Sequence, residues 1–265
     1  MGSPDVVPIR GAAMKPAILG VRGLSKRFGK VSALEDVSFD LFPGEVTALL
    51  GDNGAGKSTF ISMVSGVSAP SAGEILVDGQ PVRFDTPVTA RDAGIATVFQ
   101  NLSLVEDRSI AENLFLGSEP VRFGFLLDRR RMAREAQAVL ERLKVNLPPV
   151  GTAVRYLSGG QRQAVAVART ILRGSRIVIM DEPTAALGVR ETGKVLHLIR
   201  QLRAEGTAVL LVSHNMDNVF DVADRAVIFR LGRKVADVRI ADCTRADIVG
   251  LVVGSTDAPR RGEAA

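Results

Sequence analysis

Short apolar runs bounded by turn residues alternate with longer stretches of helical period along most of this chain, a pattern that predicts an α/β protein. Ile18 to Leu24, Val37 to Leu41 and Val46 to Leu50 read as strands, with Phe42, Pro43, Gly44 and Glu45 turning the chain between the last two. A turn-rich connector, Ser68 to Gly73, leads to a strand over Glu74 to Val77, and Asp78-Gly79 supplies the residues of a tight hairpin turn. Ile95 to Phe99 is a further apolar strand with Gln100 at its end. The start of the chain is therefore β-rich.

Helical periodicity takes over between Asn101 and Arg173, predicting helices over Ile110 to Gly117, Arg129 to Val145 and Gly159 to Arg173. Pro148 and Pro149 are expected to stop the second of these, because proline lacks the N–H and clashes with the preceding turn. Arg176 to Met180 is a continuous apolar run of the kind buried on both faces of a parallel sheet. Helix and strand then alternate over Val189 to Ala204, Ala208 to Ser213, Met216 to Ala223 and Arg225 to Phe229. Arg233 to Val238 is expected to be a last edge strand and Arg245 to Val253 a terminal helix. The expected organisation is a flexible N-terminus over residues 1–17, a single domain over 18–254 with a helical insertion at about 101–173, and a flexible tail over 255–265.

Composition narrows the class. With 265 residues, 46% apolar and 24% charged, the chain is long enough for a sizeable core. No stretch approaches the roughly 18 to 20 consecutive apolar residues that span a bilayer, and Met1 to Lys15 lacks the apolar centre of a secretory signal. The net charge of +5 is spread along the sequence and aromatics are 5%, which argues for solvated faces rather than a nucleic-acid surface. A Lys/Arg excess also suits work beside an anionic membrane. The single Cys243 excludes an internal disulfide and a Cys-based zinc cluster, and it fits a reducing compartment, the cytoplasm by default.

The chemistry centres on the stretch Gly51, Asp52, Asn53, Gly54, Ala55, Gly56, Lys57, Ser58, Thr59. It fills G-x-x-x-x-G-K-[ST] between a strand and a helix, the setting in which glycines let backbone N–H groups curve around phosphate oxygens. Lys57 is placed to reach the β- and γ-phosphates, and Ser58 to offer its hydroxyl to Mg²⁺. A metal partner is expected from Asp181, at the end of an apolar strand, where α/β ligand sites form. Glu182 is then the candidate general base for an attacking water. Leu157-Ser158-Gly159-Gly160-Gln161 opens a helix, and no structural need is evident for its two glycines. It reads either as a second anion site, built from Ser158 and backbone N–H groups, or as a plain N-cap. Phe28, expected in the loop after the first strand, either stacks on a nucleotide base or packs on the small core.

Taken together, these segments resemble the ATP-binding subunit of ABC transporters from about Ile18 to Gly254. GDNGAGKST corresponds to Walker A, Gln100 in VFQNLSL to the glutamine loop, LSGGQRQ from Leu157 to the signature, RIVIMDEPT to Walker B, and His214 in LVSHN to the switch histidine. The resemblance implies a P-loop NTPase core with a mostly parallel sheet, an N-terminal antiparallel β-subdomain and an inserted α-helical subdomain. It implies ATP and Mg²⁺ as cofactors and hydrolysis of ATP to ADP and phosphate. Phe28 would stack on adenine, a contact worth roughly 1 to 3 kcal/mol per base. Gln100 would sense Mg²⁺ and water, and His214 the γ-phosphate. Two copies would pack head to tail, so that Ser158 and Gly160 of one complete the site on Walker A of the other.

The resemblance also implies a place on the cytoplasmic face of the membrane, bound to membrane-spanning permease subunits and indirectly to a periplasmic sugar-binding protein, with nucleic acid not expected as a partner. AGIATVFQNLSLVEDRSIAENLFLG and RADIVGLVVGS look most like monosaccharide importers of the ribose and xylose type. Gly188 stands where the family commonly has Asp, which puts that carboxylate's contacts across the interface in doubt. An ATPase of DNA repair or chromosome maintenance is the competing reading, but such chains split their motifs with coiled coils or zinc modules, and neither sustained heptads nor Cys pairs occur here. A P-loop kinase is opposed by LSGGQ. Leu102 to Leu116 carries too many apolar residues for all to turn inward on one helical face, so some are expected to stay exposed as a docking surface for the permease.

Overall fold

A long antiparallel hairpin, β1 (Leu19–Phe28) and β2 (Val31–Leu41), opens the computed structural model, which describes residues 16–185 and 187–255. Both strands are longer than the sequence pattern predicts. Register shifts after Val21, Leu24 and Lys26 interrupt the alternation of buried and exposed side chains, so the period-2 signal stops while the pairing continues to Phe28 and Val31. Phe28 accordingly ends a strand rather than sitting in the following loop. Next come β3 (Val46–Leu50), α1 (Lys57–Val64) and the hairpin of β4 (Ala72–Val77) and β5 (Gln80–Val82). Asp78 and Gly79, with φ of 51° and 76°, make the expected tight turn of that hairpin.

A short helix that the pattern misses, α2 (Pro87–Asp92), is capped by Thr86 and Thr89 in reciprocal hydrogen bonds. β6 (Ile95–Val98) follows, then α3 (Ile110–Phe115), a hairpin of β7 (Val121–Arg122) and β8 (Leu126–Leu127), α4 (Arg129–Arg142) and α5 (Gly159–Leu172). The chain closes with β9 (Ile177–Asp181), α6 (Val189–Ala204), β10 (Ala208–Val212), α7 (Met216–Val222), β11 (Arg225–Arg230), β12 (Arg233–Arg239) and α8 (Arg245–Val253). Pro148 and Pro149 do not stop α4. It ends earlier, where Lys144 takes a left-handed φ of 50° and the Val145 N–H donates back to the Leu140 carbonyl at 3.0 Å, a closure made by the backbone itself.

The antiparallel sheet runs β2-β1-β4-β5 and the main sheet β12-β11-β3-β10-β9-β6. In the main sheet every pairing is parallel except that of β12, which lies at the edge as expected and runs against β11. Alternate residues of β9 enter two cores. Ile177 and Ile179 face the antiparallel sheet and α1, while Val178 and Met180 face the helices of the insertion. Burial on both faces explains why β9 and β10 read as continuous apolar runs. Phe39, Phe60 and Phe229 meet with ring centroids 5.0 to 6.2 Å apart, pinning β2, α1 and β11 together just behind the loop that precedes α1. Arg225 crosses between the sheets and reaches Glu45 and Asp237, each at 2.8 Å, and the Asp40 carbonyl. Burial works to lower its pKa, but the two carboxylates outweigh that and raise it. The expectations for residues 1–15 and 256–265 lie outside the described residues.

Candidate functional site

β3 lies between β10 and β11, so the loop that leaves it emerges at the C-terminal edge of the sheet's centre. Two glycines are required there. At Gly51, with φ of 147°, an added Cβ would lie 2.3 Å from the Phe229 carbonyl oxygen; at Gly56, with φ of 101°, it would lie 2.8 Å from that of Ala33. Gly56 is the N-cap of α1 and provides no side chain to satisfy the first-turn N–H groups, which leaves them available to an anion. Asp52, Asn53, Gly54 and Ser58 are exposed, Thr59 is half-buried and Ala55 is buried. Lys57 folds back over the loop and donates to the carbonyls of Gly51 at 2.5 Å and Asp52 at 2.9 Å. Burial pushes its pKa down, while Glu182, Asp52 and Asp181 pull it up.

Asp181 is the last residue of β9, in register with Val212 of β10. Burial, then the adjacent Glu182, raise its pKa, and Lys57 opposes them. Glu182 takes a left-handed φ of 49°, uncommon outside glycine, while its N–H extends the ladder to the Val212 carbonyl at 2.9 Å. This turn sets Glu182 Oε1 2.9 Å from His214 Nδ1. Asn218 in α7 donates to the Thr184 hydroxyl at 3.0 Å, and Asn215 caps α7, so the segments bearing Glu182 and His214 are braced by the same short helix. Lys57, Asp181, Glu182 and His214 thus form one group.

Gln100 lies two positions past β6, exposed, with no side-chain hydrogen bond among the described residues. Phe28 is 54% exposed with the Lys26 ammonium 5.2 Å from its ring centre, which rules out packing in the small core. Ser158, Gly159, Gly160 and Gln161 make no hydrogen bond or ion pair with Lys57, Glu182 or His214 among the described residues. Ser158 caps α5, accepting from the Gln161 N–H at 3.3 Å, while the Gln161 side chain accepts from the Ser158 N–H at 3.0 Å. The glycines have a packing reason after all. A Cβ on Gly160 would lie 2.9 Å from Glu191 Cβ, and one on Gly159 2.8 Å from Leu187 Cδ2. Close approach to α6 and the segment before it was invisible in a local pattern.

The segment after Gln100 is held by residues that the motifs do not mark. Asn113, fully buried in α3, donates to the carbonyls of Val105, Arg108 and Ser109 and accepts from the Val105 N–H at 2.7 Å. Arg169 donates to the carbonyls of Leu102 and Ser103. Glu106 pairs with Arg162 at 2.9 Å and Asp107 with Arg155 at 2.6 Å, joining this segment to both flanks of Ser158. A polar Asn amid the apolar positions of IAENLF was the one signal available. Between Leu102 and Leu116, Ile110, Leu114 and Phe115 turn inward, Leu102 and Leu104 are half-buried on the helical core, and Val105 and Leu116 are exposed. Some exposed apolar surface is therefore present, at Val105 and Leu116.

Among the described residues no three His, Cys, Asp or Glu gather as a metal cage. Mg²⁺ is usually held by one or two carboxylates plus phosphate oxygens, so a lone half-buried Asp181 beside the loop fits a cation that arrives with a nucleotide. No helix among the described residues is long and apolar enough to cross a membrane.

The family model described as ABC transporter matches residues 34–185. The fructose import ATP-binding protein FrcA of Rhizobium meliloti is 49% identical over 94% of this chain and 98% of its own length. The ribose import ATP-binding protein RbsA 1 of Rubrobacter xylanophilus is 44% identical over 91% of this chain, which spans 48% of that relative. Among solved structures, cbiO1 from Clostridium perfringens, part of an ABC transporter complex, superimposes with a TM-score of 0.75 at 26% identity, covering 86% of this chain and 90% of its own.

Proposed function

The chain belongs to the ABC transporter family, and from this we propose that it is the ATP-hydrolysing subunit of an importer for a monosaccharide, working with separate membrane subunits. The reading is carried by the approach of Glu182 to His214 at 2.9 Å, beside Lys57 and Asp181 at the mouth of the phosphate loop. Lys57 and the free N–H groups of α1 hold the phosphates. Phe28, exposed at the end of its strand, offers a face to adenine. Mg²⁺, held through Ser58, Asp181 and Gln100, would draw charge off the β- and γ-phosphates. Glu182 takes the proton of the attacking water, and His214 orients the γ-phosphate and keeps the Glu182 carboxylate aligned. The products are ADP and inorganic phosphate.

The single site is half of the machine. Ser158 and Gly159 face solvent at the start of α5, which suits completion of the phosphate site on a second copy packed head to tail. Phe99, beside Gln100, and Val105 and Leu116 in the segment that follows are exposed and suit a helix of the permease on the cytoplasmic side of the membrane. The monosaccharide comes from the fructose and ribose named in the relatives above, with a periplasmic binding protein as the indirect partner. The helices of the insertion reach 14 residues, too short for the coiled coils of a chromosome-maintenance ATPase.

Co-expression with a sugar-importer permease, followed by uptake of labelled fructose, ribose and arabinose into vesicles, tests this. ATP-dependent uptake that Lys57→Ala abolishes is expected. Transfer of the γ-phosphate to the sugar instead of to water would mark a kinase and overturn the reading.

A further inference from the structure

The hairpin of β7 and β8 belongs to no site described above, and among the described residues it carries the densest run of exposed apolar side chains. Val121 is 51% exposed, Phe123 74%, Phe125 77%, and Leu126 and Leu127 52% each. Its strands have two residues apiece and leave at least half of each of these side chains uncovered. Phe123 takes a left-handed φ of 54°, uncommon for a bulky side chain, and Gly124 follows at 83°. The exposed charges beside it are mainly basic. Arg122 lies over the Phe123 ring at 4.9 Å, and Arg129 and Arg130 follow the second strand, both exposed. The neighbouring acids are engaged: Asp128 caps α4 and Glu119 accepts from the Gly117 N–H.

We propose that this hairpin is a membrane-surface anchor that inserts Phe123, Phe125 and Leu126 into the headgroup boundary of an anionic leaflet while Arg122, Arg129 and Arg130 bind lipid phosphates. Aromatic and aliphatic side chains beside exposed arginines, of which Arg129 alone has a carboxylate within reach among the described residues, Glu112 at 4.0 Å, are the chemistry of interfacial insertion, in which apolar burial and attraction to anionic lipid add. A protein groove of matching shape would satisfy the rings but leave the arginines needing several carboxylates; a lipid surface satisfies both. The inference stands on the isolated chain and does not depend on the transported substrate.

The chain has no Trp, so Phe123→Trp places a single indole at the hairpin. With vesicles of phosphatidylglycerol and phosphatidylethanolamine, its emission should shift to the blue, and the protein should sediment with them about tenfold more than with phosphatidylcholine. Raising the salt toward 1 M should weaken the binding, as screening predicts. The pair Phe123→Ser/Phe125→Ser should lose binding by about tenfold or more while hydrolysing ATP in solution at the parental rate. Failure of the parent chain to bind anionic vesicles, or binding unchanged in the double variant, overturns the proposal. So does a double variant that leaves vesicle binding intact but separates from the permease in detergent, which would make the hairpin a protein contact.

Discussion

Glu182 Oε1 lies 2.9 Å from His214 Nδ1, although the two residues follow different strands and the histidine is 76% exposed where the glutamate is 19%. Parallel pairing of β9 with β10 brings the strand ends together, and the left-handed turn at Glu182 aims its carboxylate across the gap. Glu182→Gln keeps the shape and removes the proposed base. It should bind ATP as the parent does and lose about 10² to 10⁴-fold in single-turnover phosphate release. Hydrolysis at the parental rate would move the base elsewhere.

Asp181 lowers the stability of the empty site when it ionises. Its pKa is raised in the folded chain, so ionisation costs more there than in the unfolded chain, and the penalty grows as pH rises through the carboxylate range. Asp181→Asn should therefore melt a few degrees higher at neutral pH without nucleotide. The difference should vanish at acid pH, where both forms are neutral. With ATP and Mg²⁺ the order should reverse, because the variant loses the stabilisation that ligand binding gives.

Ser158 has both a structural and a proposed functional role, and the two are separable. Ser158→Ala removes the cap of α5 and should cost about 1 kcal/mol in denaturant unfolding. Ser158→Arg should also block the surface offered to a second copy. Mixed with Lys57→Ala protein, it leaves one intact composite site per mixed dimer, so ATPase activity should partly return. No return at any ratio would argue against shared sites.

A charge on the apolar surface near Gln100 is best placed at Val105, which is 41% exposed, rather than at Leu104, which packs on the helical core. Val105→Glu should leave ATP hydrolysis by the isolated chain within about twofold, in keeping with the small effects of most surface changes. Co-purification with the permease should be lost. Retained co-purification with normal uptake would move the docking surface elsewhere.

Arg225 joins both sheets through Glu45, Asp237 and the Asp40 carbonyl. Arg225→Ala strands two carboxylates in a half-buried place and should cost about 3 to 5 kcal/mol in equilibrium unfolding. A loss under 1 kcal/mol would mean that water replaces the guanidinium.

The core sheet was legible because burial on both faces leaves unbroken apolar runs; α6 and α8 follow the same residues in sequence and structure, from Val189 to Ala204 and from Arg245 to Val253. Where backbone irregularity governed, the pattern fell short. The bulges of β1 hid its second half, a left-handed Lys144 ended α4 ahead of its prolines, and α2 is too short for a helical period to register. In the site, the phosphate loop and the acidic pair were readable as local motifs. The brace of Asn218 on Thr184 and the hold of Arg169 on the segment after Gln100 link residues far apart in sequence, which no local pattern records.

The ion pairs from Glu106 and Asp107 to Arg162 and Arg155 have a mechanical consequence. They yoke the stretch after Gln100 to the first turn of α5, so that neither can shift alone without breaking both pairs and the backbone bonds beside them. A displacement begun at one nucleotide would then be delivered, through its own chain, to the residues facing the other nucleotide. Under the head-to-tail arrangement the two sites would keep time with each other, each setting the pace of its opposite.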